Sequence, residues 1–305
     1  MAVYTATATI GTLMTSIYAG CAMQVTYPAG GNVSIAIIDA QTEIVQVYAL
    51  SDPVSGVVSL YRGRGSNTIV PASDVLLAQS LPNRVNVFEW NFVEIGCVLS
   101  ATVGYLEFRV NGLTAVSISG INTIAPYANN TASIIGFGAA APWYIDDFYC
   151  NDGTTSDPGT YPNNSFMGNC RVVTLFPTQN ASVQWTPLTG ANWQEVSETE
   201  FDGDTSYNTT TTVGYTDTFN ANSLISSAAE VISVWVMGGY KMTDAGARTV
   251  EQEVVMSGTT ATGSAHNLNT NYNFFADKFA VNPATSASWT TTDVNNITFG
   301  YKLAS

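Results

Sequence analysis

Tyr105-Leu-Glu-Phe-Arg-Val-Asn-Gly112, continuing as LTAVSIS to Ser119, is the stretch on which the fold turns. Leu106, Phe108 and Val110 alternate with Tyr105, Glu107 and Arg109, and a period of two sends the two sets to opposite faces of a strand. Asn-Gly readily takes the two positive φ angles of a tight hairpin turn, so the chain is expected to reverse at 111–112 and return as a paired strand. The alternation recurs outward in SIAIIDA (34–40), IVQVYAL (44–50), VNVFEWNFVEIG (85–96) and ASIIGFG (132–138). A helical period of 3.6 is nearly absent. The first half therefore reads as an antiparallel sandwich closing on Trp143-Tyr-Ile-Asp-Asp-Phe-Tyr-Cys150.

Gly, Pro, Asn and Asp crowd the next stretch, Asn151 to Asn164, as they do where chains turn or domains meet. The predicted division is a jelly-roll-like domain over 1–152, a linker over 153–163 and a second β-sandwich over 164–305. The second half opens with RVVTLFP (171–177). VISVWVMGGYKM (231–242) and RTVEQEVVMSG (248–258) are expected to form a hairpin through Thr243-Asp-Ala-Gly246. TNYNFFADKFAV and NITFGYKLA supply later strands, and Thr290 or Thr291 is placed to cap a short helix before Asp293. The predicted class is all-β, two antiparallel β-sandwich (jelly-roll-like) domains.

Composition narrows the function. Charged residues make up 10% of the 305, against about 25% in an average soluble domain. The net charge is −14 with nine Lys and Arg, so no clustered basic surface exists for nucleic acid or an anionic bilayer. No apolar run approaches the ~18–20 residues of a membrane-spanning helix, so no membrane insertion is expected. The N-terminal MAVYTATATIGTLMTSIYAG has no basic region and is not read as a signal peptide. Cys21, Cys97, Cys150 and Cys170 lie far apart and His266 is the single histidine, which leaves no zinc ligand set. The cysteines are expected to be mostly buried thiols, with Cys150 and Cys170 the best-placed pair if a bridge forms.

Acidic residues are the next lead. Asp146 and Asp147 are consecutive on a strand, so they are expected to face opposite sides and cannot act as a facing acid and nucleophile. One is expected to point inward and accept hydrogen bonds. Asp147 or Asp152 offers oxygen ligands for Ca²⁺, as does Asp202-Gly-Asp204 within the acidic run that includes Glu195, Glu198 and Glu200. A satisfied strand end and a solvated loop are the respective structural alternatives. No catalytic residue is assigned. There is no Gly-x-Ser-x-Gly elbow and no Gly-Lys-Ser/Thr phosphate loop, and His266 sits in a polar loop. Tyr127, Trp143 and Tyr161, with Trp185 and Trp193, lie at or near loops, where rings stack on sugars, although each also suits a core.

An ordered series of motifs adds a resemblance. EWNFVEIGCVLSATVGYLEFRVNGL followed by WYIDDFYCND resembles the later strands of the concanavalin A-like (laminin G-like) jelly roll. NNSFMGNCRVVTLFPT (163–178), QWTP (184–187), FDGDTSYN (201–208), TDAGAR (243–248) and NPATSASWTTTDVN (282–295) follow in the order found in two-part virion proteins of tailed bacteriophages. The resemblance covers roughly residues 85–305. It implies a non-enzymatic structural protein on the exterior of a virion assembled in the host cytoplasm. Within that class a tail-associated appendage touching host-surface glycan comes first, and a head decoration protein is the alternative. Either would be present in multiple copies, as a homo-oligomer, with other virion proteins as partners. The alternative from another class is a calcium-assisted, lectin-like carbohydrate-binding module, with no cofactor beyond that Ca²⁺.

Overall fold

The computed structural model describes residues 6–25, 33–52, 54–86, 88–139, 143–154, 164–224, 230–244 and 246–305. The chain divides into two compact units, Met1–Asp157 with Tyr161–Val172, and Pro158–Thr160 with Val173–Ser305. Most of the expected linker, 155–163, lies outside the described residues. Residues 164–172 belong to the first unit rather than opening the second.

Eleven strands build the described part of the first unit: β1 (Ala6–Met14), β2 (Ser16–Val25), β3 (Val33–Ile38), β4 (Val45–Ser51), β5 (Val58–Arg62), β6 (Val75–Gln79), β7 (Trp90–Val98), β8 (Gly104–Val110), β9 (Leu113–Ile121), β10 (Ala132–Ala139) and β11 (Trp143–Asn151). They pair antiparallel in two sheets, β1-β10-β3-β4-β5-β6 and β11-β2-β7-β8-β9. Alternation decides which side chains fill the space between. Ile17, Ala19, Cys21 and Met23 of β2, Val93, Ile95 and Cys97 of β7, and Leu106, Phe108 and Val110 of β8 share one core with Ile35, Ile37, Val47 and Leu60 from the facing sheet. Asn111 and Gly112 both take positive φ, 52° and 79°, and β8 returns as β9 through the expected tight turn. The strand expected over 85–96 forms only from Trp90.

β4 is buried along its whole length because the six-stranded sheet is covered on its outer side as well. There Ala36, Ile38, Val45, Tyr48 and Leu50 pack with Ile69 from the β5–β6 connection. Asp39 is fully buried at the end of β3 and accepts from the Gln41 and Asn129 backbone N–H groups and from the Thr42 hydroxyl. That connection is held by a carboxylate that has no solvent.

The second unit contains β12 (Pro177–Ser182), β13 (Thr186–Pro187), a 3₁₀ turn (Asn192–Val196), β14 (Asn208–Thr209), β15 (Thr216–Ala221), β16 (Val234–Tyr240), β17 (Thr249–Met256), β18 (Thr259–Thr262), β19 (His266–Asn267), β20 (Asn273–Phe279), α1 (Thr291–Val294) and β21 (Thr298–Leu303). A main sheet, β12-β15-β21-β17-β18 with β19 on β17, faces a two-stranded ribbon of β16 and β20. Val236, Phe279, Val254, Trp289, Val294 and Ile297 form one core cluster, and Phe219, Val250 and Tyr301 another. Thr290 caps α1, exchanging hydrogen bonds with Asp293. The class is all-β, two antiparallel sandwiches.

Two expectations fail here. β16 and β17 do not pair as a hairpin: β16 joins β20 in the ribbon, while β17 joins β18, β19 and β21 in the main sheet. Alternation gives each strand its two faces but does not name its partner. RVVTLFP is not a strand before Pro177 either, and Val172 and Val173 are exposed. Among the described residues no helix is long and apolar enough to cross a membrane.

Candidate ligand-binding surface

The bulge in β11 decides where the Asp146–Asp147 pair goes. Register along β2 shifts between Asp146 and Tyr149, and Asp147 sits at a positive φ of 55°. Ile145 and Phe148 both pack on the core, so the alternation is broken between them. Neither carboxylate is the inward one that strict alternation predicted. Asp146 is exposed and accepts from the Asp147 N–H at 2.8 Å, and Asp147 accepts from the Val172 N–H at 2.8 Å.

The other sequence candidates are placed as follows. Asp152 accepts from the backbone and hydroxyl of Thr154. Asp202 takes the hydroxyls of Thr205 and Ser206, and Asp204 pairs with Lys241 and the Tyr272 hydroxyl. Glu195 is buried and staples its loop through Thr189 and the Tyr207 N–H. Among the described residues no group of three or more His, Cys, Asp or Glu is positioned to hold a metal ion. His266 is not a free loop side chain: its Nε2 lies 2.9 Å from buried Asp277, and its ring stacks on Phe275. All four cysteines are free thiols, so Cys150 and Cys170 do not bridge. Burial pushes Cys150 up to about 12 and Cys170 to about 11, with carboxylate charge from Asp152 and Asp147 adding to each.

Of the aromatic candidates, Trp143 packs on the core beside Phe137, and Tyr161 lies outside the described residues. Tyr127 is 87% exposed and lies against Gly65 of the β5–β6 connection. Trp185 and Trp193 pack on the Phe219–Tyr301 cluster.

The outer face of the five-stranded sheet carries what sequence reading missed. Residues 165–168 lie across it as a strap. Phe166 sits edge-on to Tyr18 (5.1 Å) beneath the Arg109 guanidinium (3.9 Å), over a floor where Gly96 has no side chain. A Cβ at Gly96 would stand 2.5 Å from the Phe166 ring. The Gly168 N–H and the Tyr149 hydroxyl both donate to Glu94 Oε1, at 2.8 and 2.5 Å, and Tyr149 Oη accepts from the Met167 N–H. Glu94 is fully buried, and its Oε2 has no protein partner among the described residues. Beside it Glu107 accepts from Tyr105, Arg109 and Thr114. Burial pushes the Glu107 carboxyl up, but those three hydrogen bonds and the guanidinium charge outweigh it and hold the group below the ordinary glutamate range.

Among the described residues the strap rests on Tyr18, Arg109, Tyr149 and Glu94, away from one end of this face. There Tyr144 of β11, Gln24 of β2 and Trp90 of β7 form a cross-strand row, Tyr144↔Gln24↔Trp90. Tyr144 is 58% exposed and Trp90 50%, and the next row places exposed Asp146 beside Ala22. The two aromatics are two strand spacings apart, about 9–10 Å, with a carboxamide between them. Gln24 Nε2 donates to the Phe88 carbonyl at 2.9 Å, which fixes the amide and leaves Oε1 without a donor among the described residues. Two apolar faces flanking fixed polar groups can hold a ring that is apolar on its faces and hydroxylated at its rim. The cavity between the sheets, lined by Met23, Val85 and Phe108 among others, is only about 10 Å³, so this core has no room for such a ligand. One signal for the row was present in the sequence: Tyr144 neighbours Trp143, and a strand shows only one of two consecutive aromatics to solvent.

No protein-family model and no curated protein sequence matches the chain. Among solved structures it is similar to carbohydrate-binding module CBM66 from Bacillus subtilis (8% identity, 48% of this chain and 77% of that one, TM-score 0.31). It is likewise similar to a tetrameric galectin from the ball sponge Cinachyrella sp. (10%, 47% and 96%, TM-score 0.32). A third is the homodimeric agglutinin CG-16 from chicken liver (10%, 50% and 98%, TM-score 0.30). Likeness this shallow assigns no ligand, so the chemistry of the surface itself has to carry any function.

Proposed function

We propose that this chain is a non-catalytic carbohydrate-binding protein whose ligand lies on the outer face of the first unit, across Tyr144, Gln24 and Trp90. The observation that carries this reading is two half-exposed aromatics flanking a hydrogen-bond-fixed amide on one sheet face. The rings supply stacking, while Gln24 and Asp146 supply acceptors for sugar hydroxyls. Asp147 and Asp152 are engaged in local hydrogen bonds, so the reading takes binding to be independent of calcium. The direct test is a glycan array probed with the full chain and with Tyr144→Ala and Trp90→Ala. An aromatic contact worth about 1–1.5 kcal/mol predicts roughly tenfold weaker binding for each variant, with no change in EDTA. Silence of the full chain on broad arrays, or hits unaffected by both variants, defeats the proposal.

The ordered motif series over 85–305 favours a compatible second reading, that the protein sits on the exterior of a tailed-phage virion as an appendage or a head decoration. Many copies on one particle would convert weak sugar contacts into avidity. Antibody raised against the chain should label virions in negative stain; bare virions would remove this reading without touching the first.

A further inference from the structure

The ribbon of the second unit shows solvent a face that soluble monomers rarely leave bare. Inner residues Val236, Tyr240, Phe275 and Phe279 pack on the main sheet, while the outward positions of the same strands are Trp235, Met237, Gly239, Phe274, Ala276 and Lys278. Trp235 is 55% exposed, Met237 74% and Phe274 63%, and Phe201 (57%) meets Phe274 edge-on at 5.0 Å. Four large side chains of roughly 150–250 Å² each, at these exposures, present about 500 Å² of contiguous apolar surface.

We propose that this face binds a second copy of the chain, ribbon to ribbon, across a two-fold axis at the Met237–Ala276 pair. That pair is the centre of the seven-pair register running from Val234↔Phe279 to Tyr240↔Asn273. The face is complementary to itself about this point. Phe274 lies across side-chain-free Gly239, 2.8 Å from where a Cβ would be, which makes a flat aromatic floor at one end. Trp235, at the other end, is the knob that a two-fold rotation brings over that floor in the second copy. The two Met237 side chains meet in the middle, a residue type enriched where surfaces pack adaptably. Charge follows the same polarity. Lys278 stands beside Trp235, whereas the Tyr272 end carries two carboxylates, Asp202 and Asp204, against the single Lys241 ammonium paired with Asp204, so the rotation brings the lysine of one copy toward the net-negative end of the other. An apolar aromatic core of this size inside a charged rim is the anatomy of an interface of about 800 Å² per partner.

Sedimentation equilibrium on the full chain across the micromolar range tests the proposal. The expected result is a reversible dimer for the wild type and a monomer for Met237→Glu, with the melting temperature of the variant extrapolated to low concentration unchanged, since Met237 is a surface residue. Lys278→Glu is expected to raise the dimer dissociation constant at low salt and to do so less at high salt. Tyr144→Ala is expected to leave assembly as it is. A monomeric wild type overturns the proposal, as does a dimer that Met237→Glu leaves intact. A monomeric wild type whose glycan binding is abolished by Met237→Glu overturns it likewise and assigns the ribbon to sugar.

Discussion

Asp39 shows at single-residue scale how this acidic chain uses its carboxylates. Burial alone would push it up, yet N–H groups of Asn129 and Gln41 and the Thr42 hydroxyl favour the charged form, and its pKa is held below the ordinary aspartate range. A depressed folded-state value means the stabilisation is complete above about pH 4, the unfolded value, and is lost as pH falls through the folded one. Asp39→Asn is therefore expected to lower stability at neutral pH and to flatten the acid limb of urea midpoints measured against pH. An unchanged limb would show that Asp39 is not among the groups that fail in acid. Glu195 and Asp217 are buried as well, and the sequence displayed Glu195 only as part of an acidic run. A residue's partners come from distant segments: Asn129 is 90 positions from Asp39. For the same reason Tyr144 and Trp90, 54 positions apart in the sequence, could not be read as a row, whereas Trp143, their inward neighbour, could be named as an aromatic of interest.

The β8–β9 hairpin is the element that the sequence disclosed most completely. Asn111-Gly112 is local chemistry, and it fixes the turn and the pairs next to it, Val110↔Leu113 and Arg109↔Thr114, whereas the register shifts beyond them at Phe108 and at Gly104. Gly112→Ala, which forces a side chain into the left-handed region, is expected to cost about 1–2 kcal/mol in equilibrium unfolding; a neutral result would mean the turn relaxes. Two other elements were less legible for physical reasons. The β11 bulge reverses the facing of everything beyond Asp146, and no residue type in YIDDFY announces it. The sequence of β16 points to pairing with its neighbour β17, yet its inner Val236 and Tyr240 belong to a layer opposite β17. The exposed Trp235 and Met237 made that strand look apolar on both faces, which is the pattern of a buried central strand.

At the scale of the whole molecule, the two units and their all-β character follow from alternation and turn chemistry throughout the chain. Their border does not. Residues 164–172 look like the start of the second half, yet Phe166, Met167 and Gly168 complete the outer face of the first. A protein ending at Val172 is therefore expected to fold cooperatively, whereas one ending at Asp152 should be less stable by about 5 kcal/mol, the sum of the Met167, Gly168 and Val172 N–H hydrogen bonds and a stacked phenylalanine. Denaturant titration of the two truncations checks this, and equal stability would reduce the strap to a passenger.

The proposed ligand, a glycan, lies between the Tyr144 and Trp90 rings. The most direct measurement is the indole N–H spectrum of the full chain, with Trp90 and Trp235 assigned by Trp90→Phe and Trp235→Phe, titrated with the tightest-binding oligosaccharide. With the glycan at this site, the Trp90 resonance is expected to move with saturation while Trp235 stays in place, and Tyr144→Ala to weaken that movement. A titration that shifts Trp235 but not Trp90, or shifts neither, contradicts it.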